Sequence, residues 1–258
     1  MNELLMSLAP GTRVLDLGAR SGSFAAERCP GALVVRLDLD PFRGSAGGHA
    51  VQGNAVMLPF VDGAFDVVIA SHSLEHIVGV EKALAEIGRV IKTTGSLFVA
   101  VPDSSTWSDR IYRWVYHGGG HVNAFKSLPG LIAHIESRVG LPVSGHRLLH
   151  SSFGFLERCH FKPRPPRRMW LFGNGSYSVV VLVGYFARLV DRAFGTRLSV
   201  YGWAISFGRI AIAVDAWSNV CVRCGTAHPR EELRHSWRQH YGCPACGAWN
   251  LFTTDRNS

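Results

Sequence analysis

Cys221-Val-Arg-Cys224 and Cys243-Pro-Ala-Cys246 are two Cys-x-x-Cys pairs, each followed directly by a glycine, Gly225 and Gly247. Each pair makes a tight knuckle whose thiolates can converge on one ion, and the glycine permits the turn. Residues 225–242 separate the pairs, which is the spacing of a four-cysteine zinc site. The alternative, a disulfide or redox pair, has no need of two knuckles with their glycines. Four thiolates fill the coordination shell, so an ion held by Cys221, Cys224, Cys243 and Cys246 is structural rather than catalytic. Cys29 and Cys159 have no partner by spacing and read as ordinary buried thiols. A second chemical signal is Val14-Leu-Asp-Leu-Gly-Ala-Arg-Ser-Gly22, a glycine turn that lets backbone approach a ligand closely. It lacks the three spaced glycines of the dinucleotide pattern, which argues against NAD. Asp38 follows about twenty residues on, where a carboxylate can accept from a ribose diol. His72, His76, Asp103, His117 and His121 are the groups able to take a proton near neutral pH. His76 reads as a packed histidine at a helix start, whereas His121 follows the glycine run Gly118–Gly120 and His72 follows a strand.

The elements that must position these groups alternate. Arg13–Gly18 is a short apolar run ending in the glycine turn, and Ser23–Cys29 reads as the helix after it. Further strands fit residues 32–37, 49–52, 65–70 and 96–101. Helical spacing of Val80, Leu84, Ile87 and Ile91 fits the crossover before the last of these. Strands alternating with helices imply an α/β fold, with a doubly wound, mostly parallel, Rossmann-like sheet. Asp103–His121 reads as a polar, aromatic loop. Residues 128–139 read as a helix, 143–149 as a strand, 179–194 as an amphipathic helix and 199–207 as a further strand. Lys162–Arg168 is an extended, proline-rich basic segment.

The glycine turn, Asp38 and the run Gly53–Ile77 together closely resemble the class I S-adenosylmethionine-dependent methyltransferases, in particular the broad type 11 group. The resemblance covers about residues 12–140 and weakens beyond. It implies S-adenosylmethionine as cofactor. It places Asp16, Gly18, Ala19 and Gly22 around the methionine part, Asp38 at the ribose and Leu39 beside the adenine. Asn54 and Ala55 would meet the adenine edge, and Ser71 and His72 would face the methionine end and the acceptor. His72 and His121 are the candidate catalytic groups. Arg20 departs from the family, which usually has glycine there. The first strand starts near Thr12, leaving little room for the capping helices of many relatives. The Asp103–His121 loop and an insertion over Ser151–Leu198 are therefore expected to form the lid. The cysteine region resembles a zinc ribbon. The expected domains are a methyltransferase domain over residues 1–215 and a ribbon over 216–258.

Composition bounds the rest. In 258 residues, 47% are hydrophobic and 18% charged, which excludes a disordered chain. The net charge of +8 is unevenly spread: residues 1–104 carry 8 Lys+Arg against 11 Asp+Glu, and residues 105–258 hold the remaining basic excess. That asymmetry suggests an anionic partner for the C-terminal half. The N-terminus lacks a secretory pattern and no apolar run spans a bilayer, so a cytoplasmic protein without a transmembrane segment is expected. The acceptor implied by the resemblance is a small molecule or a lipid- or glycan-linked precursor. Two alternatives stay open. An RNA methyltransferase would use the basic half and the ribbon as a nucleic-acid surface. A degenerate methyltransferase fold, suggested by Arg20, would serve as an interaction module. The apolar 179–194 helix near Arg164, Arg167 and Arg168 also allows a peripheral membrane contact.

Overall fold

The computed structural model describes residues 2–19, 22–41, 47–117, 120–158, 167–210, 212, 219–222, 227–228, 233, 240–244 and 246–251. Arg20, Cys159, Arg164, Cys224 and most of the basic ribbon residues lie outside them. The chain divides into two compact units. The first comprises Met1–Pro102, Gly120–His146 and Trp203–Val214, and the second Asp103–Gly119, Arg147–Gly202 and Asp215–Ser258.

Seven strands form one sheet: β1 (Arg13–Leu17), β2 (Leu33–Asp38), β3 (His49–Gln52), β4 (Phe65–Ser71), β5 (Ile91–Pro102), β6 (Val143–His150) and β7 (Val200–Gly208). Their order is β3-β2-β1-β4-β5-β7-β6. β3, β2, β1, β4 and β5 run parallel. The run Val67–Ala70 within β4 is continuously apolar because a parallel strand is covered on both faces. Val14, Leu15, Val67, Val68, Ile69, Leu97 and Val99 are accordingly buried. Asp66 ties the strand starts together, accepting from the Arg13 amide at 2.9 Å and from Lys92 Nζ.

In the same unit, helix α2 (Val80–Val90) buries Ala83, Leu84, Ile87 and Val90, one stripe at helical period. Each large apolar side chain buried this way contributes about 1.5–3 kcal/mol. Helix α4 (Leu128–Val139) buries Leu131, Ile135 and Val139 and is capped by Ser127 Oγ and by Gly140. Gly88 lets the two helices meet: a Cβ there would stand 2.9 Å from the Arg138 carbonyl oxygen. A short helix α1 (Asn2–Met6) precedes β1 and buries Leu4 and Leu5.

The second unit has its own core of Val115, Phe153, Leu156, Met169, Val180 and Ala187. It holds helix α3 (Trp107–Val115) and helix α5 (Tyr177–Phe194). It also holds two small antiparallel pairs, β8 (Asn219–Val220) with β9 (Ala227–His228), and β10 (His240–Gly242) with β11 (Trp249–Leu251). No single helix among the described residues is long and apolar enough to cross a membrane.

Three sequence expectations are corrected. Ser23–Cys29 forms no α-helix, only a 3-10 turn at Ala26–Arg28. Pro30 follows Cys29, disfavouring helical backbone there. Fewer than two turns cannot nucleate without tertiary help, and the Ser23 amide is already spent on Asp16. Asp103–His121 is not all loop, because α3 lies inside it. Thr106 caps that helix, its side chain accepting from the Asp109 amide, and Arg113 pairs with Asp109 one turn earlier. Third, α2 ends at Val90 rather than Ile91. β5 begins at once, with a register shift between Phe65 and Val67 as β4 pairs with it.

Candidate functional site

The glycine turn sits where β1 ends. Gly18 has φ +71 and, with Ala19, donates its amide to the Leu37 carbonyl of β2, at 2.8 and 3.1 Å. A Cβ on Gly18 would fall 2.5 Å from the Ser73 Cβ, so both the backbone angle and the close approach require glycine. Gly22, at φ +105, donates to the Ala19 carbonyl and closes the turn.

Asp16 lies directly beneath and is fully buried. Its Oδ2 accepts from the Ser23 amide at 3.0 Å and stands 3.5 Å from Arg36 Nη1, while Oδ1 accepts no hydrogen bond from the described residues. Burial raises the carboxyl pKa, against the lowering effects of Ser23 and Arg36. Arg36 faces Asp16 across the β1–β2 register. It donates Nε to the Gly47 carbonyl and Nη2 to the Phe24 carbonyl, both at 2.7 Å. One guanidinium therefore holds the backbone on two sides of the site. Its signal in the sequence is a lone charge inside the apolar run Leu33-Val-Val-Arg-Leu37.

The neighbouring strand ends carry the other expected residues. Asp38 closes β2, is buried, and accepts from the Asp40 amide at 3.0 Å. Leu39 next to it is 66% exposed, a bare apolar surface beside a carboxylate. Asn54 is exposed and uses Oδ1 to accept from the Val56 amide at 3.1 Å, which shapes the 54–57 turn beside the half-buried Ala55. Ser71 ends β4 and is half-buried.

His72 follows Ser71 with φ +54, unusual for a residue with a side chain. Its amide donates to the Ala100 carbonyl at 2.8 Å. Desolvation, then the charges of His121 and His76, push its pKa down to about 4. The side chain keeps 44% of its surface open, which tempers the burial effect. The shift is downward, which favours the neutral imidazole. His76 is exposed on the 3-10 turn Leu74–His76, not packed at the start of an α-helix as expected. Its Nδ1 lies 3.0 Å from the Gly120 carbonyl, and its ring meets that of His121 edge to face at 4.8 Å. Asp103 and His117 lie in the other unit. Asp103 there accepts from the Ser105 amide and hydroxyl, which is turn chemistry. Ser73 and Glu75 were not singled out by sequence, although both are buried next to these groups.

In the second unit, Cys221 and Cys243 are buried and Cys246 is half-buried. Their three sulfurs lie within 4.8 Å of one another, with Cys221 and Cys246 3.6 Å apart. That is far beyond a disulfide bond. Two sulfurs on one tetrahedral zinc, at Zn–S about 2.3 Å, stand about 3.8 Å apart. The donor set thus fits a thiolate metal. Asn250 braces it, with Oδ1 accepting from the Val222 amide at 2.7 Å and Nδ2 donating to Cys221 Sγ at 3.5 Å. Gly247, at φ +71, donates to the Cys243 carbonyl at 2.8 Å and forms the knuckle turn.

The sheet order, with the glycine turn at the end of β1, is a Rossmann-like α/β arrangement. Residues 15–99 match the family model described as a methyltransferase domain. The chain is 36% identical over 100 residues to a demethylmenaquinone methyltransferase of Corynebacterium urealyticum, covering 37% of this chain and 44% of that protein. It spans about half the length of the curated relatives it matches. Among solved structures, it resembles a protein of Bacillus halodurans assigned as a methyltransferase, with TM-score 0.52 and 20% identity over 80% of this chain and 95% of that one. It also resembles a [4+2]-cyclase, with TM-score 0.51 and 14% identity over 82% of this chain and 80% of that one. These likenesses show the fold, and the reaction must be argued from the site.

Proposed function

We propose that this protein transfers the methyl group of S-adenosylmethionine to a small-molecule acceptor. The observation that carries the reading is the pair formed by Gly18 and Asp16. The turn leaves no room for a side chain, and the buried Asp16 carboxylate below it has an oxygen with no hydrogen-bond partner among the described residues. A cationic amino-acid moiety would complement that second oxygen, sharing the carboxylate with Arg36. Asp38 would hold the ribose hydroxyls and Leu39 the adenine face, with Ala19, Gly22, Asn54, Ala55 and Ser71 completing the cofactor contacts. When bound, the sulfonium supplies an electrophilic methyl group for in-line displacement. The protein's part is to align the acceptor and accept its proton. His72, its neutral form favoured, suits that second task, with His121 as the other candidate.

A small-molecule acceptor is favoured over RNA because the curated relatives carry the name demethylmenaquinone methyltransferase. A lipid-linked acceptor would suit helix α5, whose Leu182 and Phe186 are each 65% exposed and which would make a peripheral membrane contact. Residues 216–258 would form a structural zinc ribbon with Cys221, Cys224, Cys243 and Cys246 as ligands. The cytoplasm is the proposed compartment. Calorimetric titration with S-adenosylhomocysteine tests the cofactor claim; no heat at millimolar ligand would defeat it. Methyl transfer from labelled cofactor into a small-molecule extract, compared with total RNA, tests the acceptor class. Label in RNA alone would reverse the preference.

A further inference from the structure

Beyond the glycine turn and the cysteine centre, the first unit gathers a second set of metal-ligating groups. Glu75, His76 and His121 each offer one ligand atom, and these atoms lie within 4.8 Å of one another. Two come from the turn Leu74–His76, which follows β4, and the third from the segment after Gly120. That segment is fastened to the turn. The amides of Val122 and Asn123 both donate to the Glu75 carbonyl, at 2.9 and 3.1 Å. Asn123 Nδ2 donates to the Leu74 and Ile77 carbonyls, each at 2.8 Å. The two backbone segments that carry the three side chains are thus fastened to each other.

The hydrogen bonding of His76 fixes its chemistry. A carbonyl oxygen only accepts, so the 3.0 Å contact with Gly120 makes Nδ1 the protonated nitrogen of the neutral ring. The lone pair then sits on Nε2. A ring that gives one N–H to a backbone carbonyl and presents its other nitrogen is the arrangement that orients metal-ligating histidines. Glu75 is 1% exposed, although a carboxylate is normally kept in water. His72 Nδ1 stands 3.8 Å from Glu75 Oε1, within ion-pairing reach when the imidazole is protonated.

We propose that Glu75, His76 and His121 form a divalent-metal site, distinct from the cysteine centre, that takes a first-row transition metal such as zinc. Two imidazoles and a carboxylate suit that class better than magnesium or calcium, which prefer all-oxygen shells. Ligand atoms on tetrahedral zinc stand about 3.4 Å apart, so the set needs to close by at most roughly 1.4 Å. The half-buried His121, which follows Gly120 at φ +74, is the member able to swing in. Three protein ligands leave a coordination position open, the pattern of a reactive rather than a structural ion. The site begins two residues past Ser73, which packs against Gly18. It therefore adjoins the glycine turn, where an acceptor oxygen bound to the ion would be acidified. His121 would then be a ligand of the ion.

The test is metal content of the full chain after zinc loading and dialysis. The His121→Ala variant is expected to hold one equivalent less than wild type, while the Cys221→Ser/Cys243→Ser variant still holds the equivalent that His121→Ala loses. Loading with cobalt instead should show an absorption band free of thiolate character, absent from His121→Ala. Glu75→Gln is the second variant, read by the same band if the buried substitution folds. Equal metal content in wild type and His121→Ala, or cobalt spectra that do not distinguish them, would overturn the site. Affinity for S-adenosylhomocysteine, measured on the same samples, bears on the methyl-transfer reading alone, so the two can fail separately.

Discussion

Replacing Gly18 by alanine tests the tightest packing at the site. The residue has φ +71, and its new Cβ would fall 2.5 Å from the Ser73 Cβ. Left-handed backbone costs a residue with a side chain roughly 1–2 kcal/mol. Overpacking costs about 1–3 kcal/mol more, and Ser73 has little freedom to yield because the clash is at its Cβ, fixed to the backbone. The sum, roughly 2–5 kcal/mol, corresponds to a fall in melting temperature of roughly 4–20 °C for a domain of this size. The two contributions can be separated. Ser73→Gly removes the clash but leaves the φ penalty, so the double variant should recover about 1–3 kcal/mol as a coupling energy. Denaturant melts of the four proteins in the cycle provide the measurement. If Gly18→Ala costs less than about 1 kcal/mol, or if Ser73→Gly gives no recovery, the close approach of the turn to residue 73 is wrong.

Asp38→Ala should weaken S-adenosylhomocysteine binding roughly tenfold to a hundredfold, the worth of hydrogen bonds to a charged group; calorimetry at unchanged melting temperature is the check. His72→Ala should lower turnover about 10²–10⁴-fold, the usual contribution of a general base, while cofactor affinity stays as in wild type; equal loss in both would make His72 a cofactor contact instead. Chelation, or Cys221→Ser, should abolish hydrogen-exchange protection of the Cys243 and Gly247 amides, which are bonded to the Ala248 and Cys243 carbonyls, without affecting protection in β1 or β4. Wild type should float with anionic liposomes, and Leu182→Ser/Phe186→Ser should float less; equal flotation would remove α5 as a membrane contact.

The parallel core was legible because its strands are covered on both faces. Val67, Val68, Ile69 and Ala70 have nowhere polar to point, so the run announces itself. The turn at Gly18 was legible for a similar reason, since a glycine after an apolar strand marks a special backbone. Helix α3 was hidden because its buried face includes Ser108 and Asp109, so no apolar stripe runs along it. Arg36 was overlooked because its meaning depends on Asp16, twenty residues away and adjacent only through the β1–β2 register. The meeting of His121 with Glu75 and His76 was equally out of reach. It rests on amides and one asparagine reaching across 44–49 positions of chain, and no local pattern encodes such closure.

The strand order β5-β7-β6 also constrains how the protein is born. β6 is complete at residue 150, yet its neighbour in the sheet is β7, which ends at residue 208. At about 5–20 residues per second, a ribosome leaves β6 without that neighbour for roughly 3–12 s. Meanwhile β1 to β5 have all the partners they need except on the β5 edge. The nascent chain should therefore show an early protease-resistant core ending near Pro102, and a late one that appears only once β7 has emerged. Arrested chains ending before and after residue 208, treated with protease, would reveal the two stages. Simultaneous protection of β4 and β6 would contradict them.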